Sequence, residues 1–137
     1  MSSNSRDVVV GFCKAFERRS VGDVLAYMAP DIVYQNVPFP AMHGVDEAAK
    51  FLTPLITKAS KIEFKLLSLA VSASGGEVLT ERLDRLHFPK GVVDIPLMGI
   101  FVVRDGKITE WRDYADNASV MKAFVDAKFD LAELGIS

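Results

Sequence analysis

The sequence predicts an α+β domain: a curved, mostly antiparallel sheet with helices packed on one face. Three observations predict it. Val8, Val9, Phe12, Cys13 and Phe16 recur at helical spacing near the start of the chain. From Lys61 to Ala115 the pattern changes to two-residue alternation, interrupted by the turn signals Gly75-Gly76, Pro89-Lys90-Gly91 and Arg104-Asp105-Gly106. After Ser119 the helical period returns. The 137 residues fit one domain, 1–137, with a core of its own.

Taken in order, Asn4 or Ser5 can cap a helix running to about Arg19. Ser20 caps a second, short helix over Val21–Met28, ended by Ala29-Pro30. Asp31–Val37 reads as a strand stopped by Pro38 and Pro40, and Pro38–Gly44 as a loop. Val45–Leu55 is the next helix, with Asp46 and Glu47 at its positive end and Pro54 breaking it late. Four strands follow as a meander: Ile62–Ala73, Val78–Phe88, Val92–Arg104 and Lys107–Ala115. The strand holding Tyr34 is expected at an edge of this sheet, and a last helix over Ser119–Leu134.

Composition excludes several functions. Half the chain is hydrophobic, a quarter is charged and the net charge is −2, so nothing points to nucleic acid or an anionic membrane as partner. One cysteine, Cys13, rules out an intrachain disulfide framework and a multi-cysteine metal site, and only two histidines argue against a His-rich metal site. No cofactor is implied. No apolar run approaches the ~18–20 residues of a membrane span, and the polar start of the chain lacks the apolar segment of a signal peptide. A cytoplasmic protein is expected. Cys13 reads as a small core residue, and His43 as a loop residue without a catalytic role.

The strand Val78–Phe88 carries the chemistry. Arg82 and Asp84 share a face with Val78, Thr80, Leu86 and Phe88, so two opposite charges lie in a mostly apolar row. Burying charges costs several kcal/mol unless they are paired and hydrogen-bonded. Either that face is wet, as at a rim salt bridge, or the pair lines a pocket. Tyr34 and Asn36 also share a face, putting a phenol and an amide into one space, unless both end at a surface turn. Asp113 shares a face with Thr109, Trp111 and Ala115. With a type I turn and a left-handed Gly106 in a bulge, Leu97 lies opposite both Arg82 and Asp113; a two-residue turn would put Met98 opposite Asp113. The first register is preferred, because it turns Ile95, Leu97, Gly99 and Phe101 inward with Trp111. Strands are ~4.8 Å apart, so one guanidinium can hold Asp84 with one edge and Asp113 with the other. Two carboxyls facing one pocket repel as anions, and one then keeps a proton. That supplies an acid and a base side by side, titrating as a unit.

Tyr34-Gln35-Asn36-Val37-Pro38, Thr80-Glu81-Arg82-Leu83-Asp84, Gly106-Lys107-Ile108-Thr109 and Trp111-Arg112-Asp113-Tyr114 together resemble the limonene-1,2-epoxide hydrolases, over roughly residues 6 to 125. The resemblance implies a small nuclear-transport-factor-2-like fold, with a mixed curved sheet, helices on its concave face, a deep apolar pocket and a homodimer. It implies Asp84 as the acid that protonates an epoxide oxygen, Asp113 as the base on water, and Tyr34 and Asn36 as holders of that water. Arg82 would bridge the aspartates. Attack and protonation would occur in one step, on a small apolar epoxide, without metal or covalent ester. Phe16, Leu55, Leu86 and Leu97 are the expected pocket walls, by face and by resemblance. Ala115, Cys13 and Ala59 stand where larger apolar residues are expected, the turn after Asp84 is shorter, and the C-terminal tail differs. These departures leave the epoxide itself open. Two other functions fit the same fold: a ketosteroid-isomerase-like or polyketide-cyclase-like proton transfer, and ligand binding without catalysis. The outward row Met98, Ile100 and Val102 forms an apolar stripe that the last helix or a second subunit would cover.

Overall fold

The computed structural model describes residues 4–136; residues 1–3 and 137 of the expected domain lie outside them. Six strands make one curved, unclosed sheet with helices on its concave face. Helix α1 spans Ser5–Glu17, and the Asn4 side chain accepts from the Asp7 amide at 2.8 Å. Helix α2 spans Val21–Ala26, with Ser20 as its cap. The remaining elements are β1 (Met28–Val37), β2 (Met42–His43), α3 (Val45–Lys58), β3 (Lys61–Val71), β4 (Glu77–Phe88), β5 (Gly91–Arg104), β6 (Lys107–Ala115), α4 (Asn117–Asp126) and a 3₁₀ turn at Leu131–Leu134.

The strand order is β2-β1-β6-β5-β4-β3. Strands β3 to β6 form the expected antiparallel meander, and β1 joins it parallel to β6. β1 is not quite an edge strand, because the two-residue β2 pairs along its outer side. β1 also starts at Met28 rather than Asp31. Pro30 is tolerated there because the β1–β6 pairing is irregular between Met28 and Val33, so no regular ladder bond is lost.

Three helix ends differ from expectation. α2 ends at Ala26 instead of Met28, because Met28 already pairs with Ile108 as the first residue of β1. α3 runs through Pro54 to Lys58, because Leu52 and Ile56 on either side of the proline are both buried and outweigh one missing N–H. α4 stops at Asp126 instead of Leu134. Lys128 takes a left-handed φ of 59°, its N–H donates to Val125 O, and the Phe129 N–H donates to Phe124 O, each at 3.0 Å. That is a Schellman turn with lysine in the place glycine usually fills. Phe129 doubles back on Phe124 and Phe88, with ring centroids 5.3 and 4.8 Å away.

The β5–β6 register is also corrected. Asp105 and Gly106 both have positive φ, 51° and 76°, and make a two-residue turn that pairs Arg104 with Lys107. The extra residue is Thr109, inside β6, where the pairing shifts between Val103–Ile108 and Val102–Glu110. Asp113 therefore opposes Gly99, and Leu97 opposes Ala115. The bulge keeps Leu97, Gly99 and Phe101 on the inner face with Trp111, as expected, but moves the row by two residues. On the outer face Met98 is exposed, Ile100 is half-buried and Val102, beside the bulge, is buried. α4 does not cover this stripe, since its Val120, Met121 and Phe124 face the cavity on the other side.

Phe12 anchors α1 to the sheet. It is fully buried, edge-on to Trp111 and Phe16 with ring centroids 5.1 Å away, and 5.9 Å from Phe101. Phe12→Ala should lower the unfolding free energy by about 3–5 kcal/mol, measured by urea denaturation.

Candidate active site

Sheet register brings the polar residues of four strands to one place. Thr80, Gly99, Asp113 and Asn36 form a single row across β4, β5, β6 and β1. Val78, Phe101, Trp111 and Tyr34 form the row beside it, and Arg82, Leu97 and Ala115 the row on the other side. Arg82 thus starts one row from Asp113 and must lean over Gly99 to reach it. A Cβ on Gly99 would collide with Asp113 Oδ1 and Arg82 Nη1, and would press on Thr80 Oγ1. The bare backbone at Gly99 is what lets guanidinium and carboxylate meet above it.

The guanidinium of Arg82 is wholly inaccessible to solvent. Its Nε donates to Asp84 Oδ1 at 3.0 Å and its Nη2 to Asp84 Oδ2 at 2.9 Å, a two-point clasp. Nη2 also donates to Asp113 Oδ2 at 3.0 Å, and Nη1 to Thr80 Oγ1 at 3.1 Å. The Thr80 hydroxyl in turn donates a hydrogen bond to Gly99 O at 3.0 Å. The rings of Phe64 and Phe101 lie 5.3 and 5.4 Å from the guanidinium carbon. The other oxygen of Asp113, Oδ1, accepts from Trp111 Nε1 at 2.8 Å. Both carboxyls are buried, Asp84 to 4% and Asp113 to 6% exposure.

Tyr34 and Asn36 stand beside this cluster. The Asn36 amide donates to the Tyr34 hydroxyl at 3.1 Å, and the Tyr34 ring stacks on Trp111 at 4.1 Å between centroids. Asn36 is the direct strand neighbour of Asp113, so amide, phenol and carboxylate converge. Burial, then the Asp113 charge, pushes the Tyr34 phenol up, and it stays protonated. Asp84, Asp113, Tyr34, Asn36 and Trp111 all line one cavity of about 340 Å³, a size suited to a small molecule. Phe16, Leu55, Leu86 and Leu97 line it too, as does Ala115.

The electrostatics follow from burial. Burial raises the Asp84 carboxyl from its ordinary value to about 6, against the pull of Arg82 and with a further push from Asp113. Burial alone would weaken the charge on Arg82, but Asp113 and Asp84 more than offset it and hold the guanidinium charged. The Cys13 thiol, buried on α1, is pushed up to about 12 by desolvation and is inert. His43 is exposed on β2 and does not line the cavity. Among the described residues no cluster of three His, Cys, Asp or Glu could hold a metal ion. Thr80, Gly99 and Trp111 belong to the site as well, beyond the residues expected there. The inward face of each strand placed them near Arg82 and Asp113, but only the register shows which of them touch.

A raised carboxyl pKa has a definite sign in stability. The fold binds the Asp84 proton more tightly than the unfolded chain does, so this stabilisation is complete below the unfolded value of about 4 and is lost as pH rises through about 6. Asp84→Asn has no proton to lose. The unfolding free energy of the wild type should fall relative to Asp84→Asn by about 2 kcal/mol between pH 4 and pH 7, read by parallel urea titrations.

Known proteins resemble this chain in sequence and in fold. The model of the limonene-1,2-epoxide hydrolase catalytic domain matches residues 3–126. The chain is 32% identical over 117 residues to epoxide hydrolase EphG of Mycobacterium tuberculosis (strain ATCC 25618 / H37Rv), covering 85% of this chain and 76% of that protein. It superposes on the structure of an M. tuberculosis LEH-like epoxide hydrolase with a TM-score of 0.78 at 30% identity, covering 93% of each chain. An NTF2-like protein of unknown function from Burkholderia pseudomallei K96243 matches with a TM-score of 0.75 at 20% identity, over 88% of this chain and 97% of that one, and shows the fold alone. This chain belongs to the limonene-1,2-epoxide hydrolase family, with an NTF2-like fold.

Proposed function

We propose that residues 1–137 act as one domain that adds water to a small apolar epoxide to give a vicinal diol. One observation carries the reading: Arg82 holds Asp84 and Asp113 together in the wall of an apolar cavity. Asp113 acts as base. It takes a proton from a water held between its carboxylate, Asn36 and Tyr34, as the water oxygen bonds to one ring carbon. The C–O bond to that carbon breaks, and the departing oxygen takes the Asp84 proton. Ring strain drives the opening, but an alkoxide is a poor leaving group and must be protonated as it forms. Asp84, raised to about 6 by burial, keeps a usable fraction of its acid form near neutral pH. The cycle ends with Asp113 protonated and Asp84 ionised, and exchange with solvent restores both. No step needs a covalent ester or a metal.

A proton-transfer isomerase would use one base and an oxyanion donor, and would give Arg82 no reason to tie two carboxyls. Leu67, Leu79, Met98 and Tyr114 are exposed on the convex face, and the homodimer implied by family resemblance would bury them. No helix among the described residues is long and apolar enough to cross a membrane. The reading places a metal-independent enzyme in the cytoplasm.

In a single turnover of cyclohexene oxide in oxygen-18 water, the first diol formed should already carry solvent label. Asp113→Asn and Asp84→Asn should each lower kcat by about 10³-fold, with the circular dichroism of the fold unchanged. Unlabelled diol in the first turnover, or Asp113→Asn within tenfold of wild type, would refute the mechanism.

A further inference from the structure

The family match ends at residue 126, yet the cavity wall does not. Beyond the Schellman turn at Lys128, Leu131, Leu134, Gly135 and Ile136 line the cavity that holds Asp84 and Asp113. This segment is fixed at several points. Phe129 packs on Phe88 and Phe124. The Asp130 side chain caps the 3₁₀ turn by accepting from the Ala132 amide at 3.0 Å. Ile136 N–H donates back to Leu131 O at 3.1 Å. Glu133, the charged residue of that turn, is paired with Lys58 at the end of α3, and Lys58 Nζ lies 6.0 Å from the Phe129 ring. The turn therefore bridges the last turn of α3 and the end of α4, and the side chains it presents to the cavity are hydrocarbon.

We infer that residues 127–136 are a size filter: they close the cavity and limit the hydrocarbon substituent that the ring-opening site accepts. The inference rests on the epoxide reading for its substrate class and adds the part of the substrate that reading leaves open. Leu134 and Ile136 are the residues that set the limit. The substituent they face is apolar, because a charged group there would meet no partner among the lining residues of the segment. It is also compact, because the segment is held by Phe129 and by the Lys58–Glu133 pair rather than left to swing.

The test compares 1,2-epoxydodecane with cyclohexene oxide in the wild type, in a chain ending at Phe129, and in Leu134→Ala/Ile136→Ala, which keeps the Lys58–Glu133 pair should the shorter chain fail to fold. The quantity read is the ratio of the two kcat/KM values. The inference predicts that the ratio rises in favour of the long epoxide by about fivefold or more, a threshold set below the roughly tenfold that a single methylene can carry. A smaller change overturns it. Dodecanamide and cyclohexanecarboxamide binding, followed by emission of the single tryptophan Trp111 in the cavity wall, gives the same ratio without chemistry. If the wild type opens neither epoxide, the hydrolase reading fails, and the binding ratio alone decides on the filter by the same fivefold criterion.

Discussion

A guanidinium withdrawn completely from water is the constraint on which the site depends. An unpaired Arg82 in that position would be too costly for a chain of this size to fold around. Its donors are therefore spent on Asp84, Asp113 and Thr80, and its faces on Phe64 and Phe101. Each of those partners imposes a requirement of its own. Thr80 needs Gly99 O, Asp113 needs Trp111 Nε1, and the crossing of guanidinium over β5 needs a residue without a side chain at Gly99. The aromatic layer of Phe12, Phe101 and Trp111 serves two purposes at once: it is the core under α1, and it is the dry surface against which the charges sit.

The charge count inside the cavity explains why the Asp84 carboxyl is raised. With both ionised, the buried trio of Arg82, Asp84 and Asp113 carries a net charge of −1. One proton neutralises it, and in a poorly solvated place neutrality is favoured. Asp113 has a hydrogen-bond donor on each oxygen, one from Arg82 and one from Trp111. Asp84 takes both its donors from the one guanidinium, which it shares with its rival. The chemistry of an acid next to a base is thus a consequence of burying an odd number of charges behind a single arginine.

Much of this is legible in the sequence because strand alternation is a strict rule. Once Val78–Phe88 is read as a strand, Thr80, Arg82 and Asp84 must share a face, and the short Pro89-Lys90 connection fixes Leu97 opposite Arg82. What the sequence hides is where irregularities fall. The bulge at Thr109 sits two residues inside β6 instead of in the turn, so Gly99 rather than Leu97 opposes Asp113. The chain reverses at Arg19 and Lys128 in a conformation that glycine would have announced and these residues do not. Pro54 looks like a stop but lies between buried Leu52 and Ile56, and tertiary packing overrides it. Trp111 reads as core from its face alone; its hydrogen bond to Asp113 depends on a ring orientation that no spacing rule gives.

The most direct measurement is a carbon-13 NMR titration of the Asp84 side-chain carboxyl in the wild type and in Asp113→Asn. The buried trio predicts a midpoint at about 6, which falls when the second carboxyl loses its charge. A midpoint near 4, as for a carboxyl in water, and no response to Asp113→Asn would contradict it.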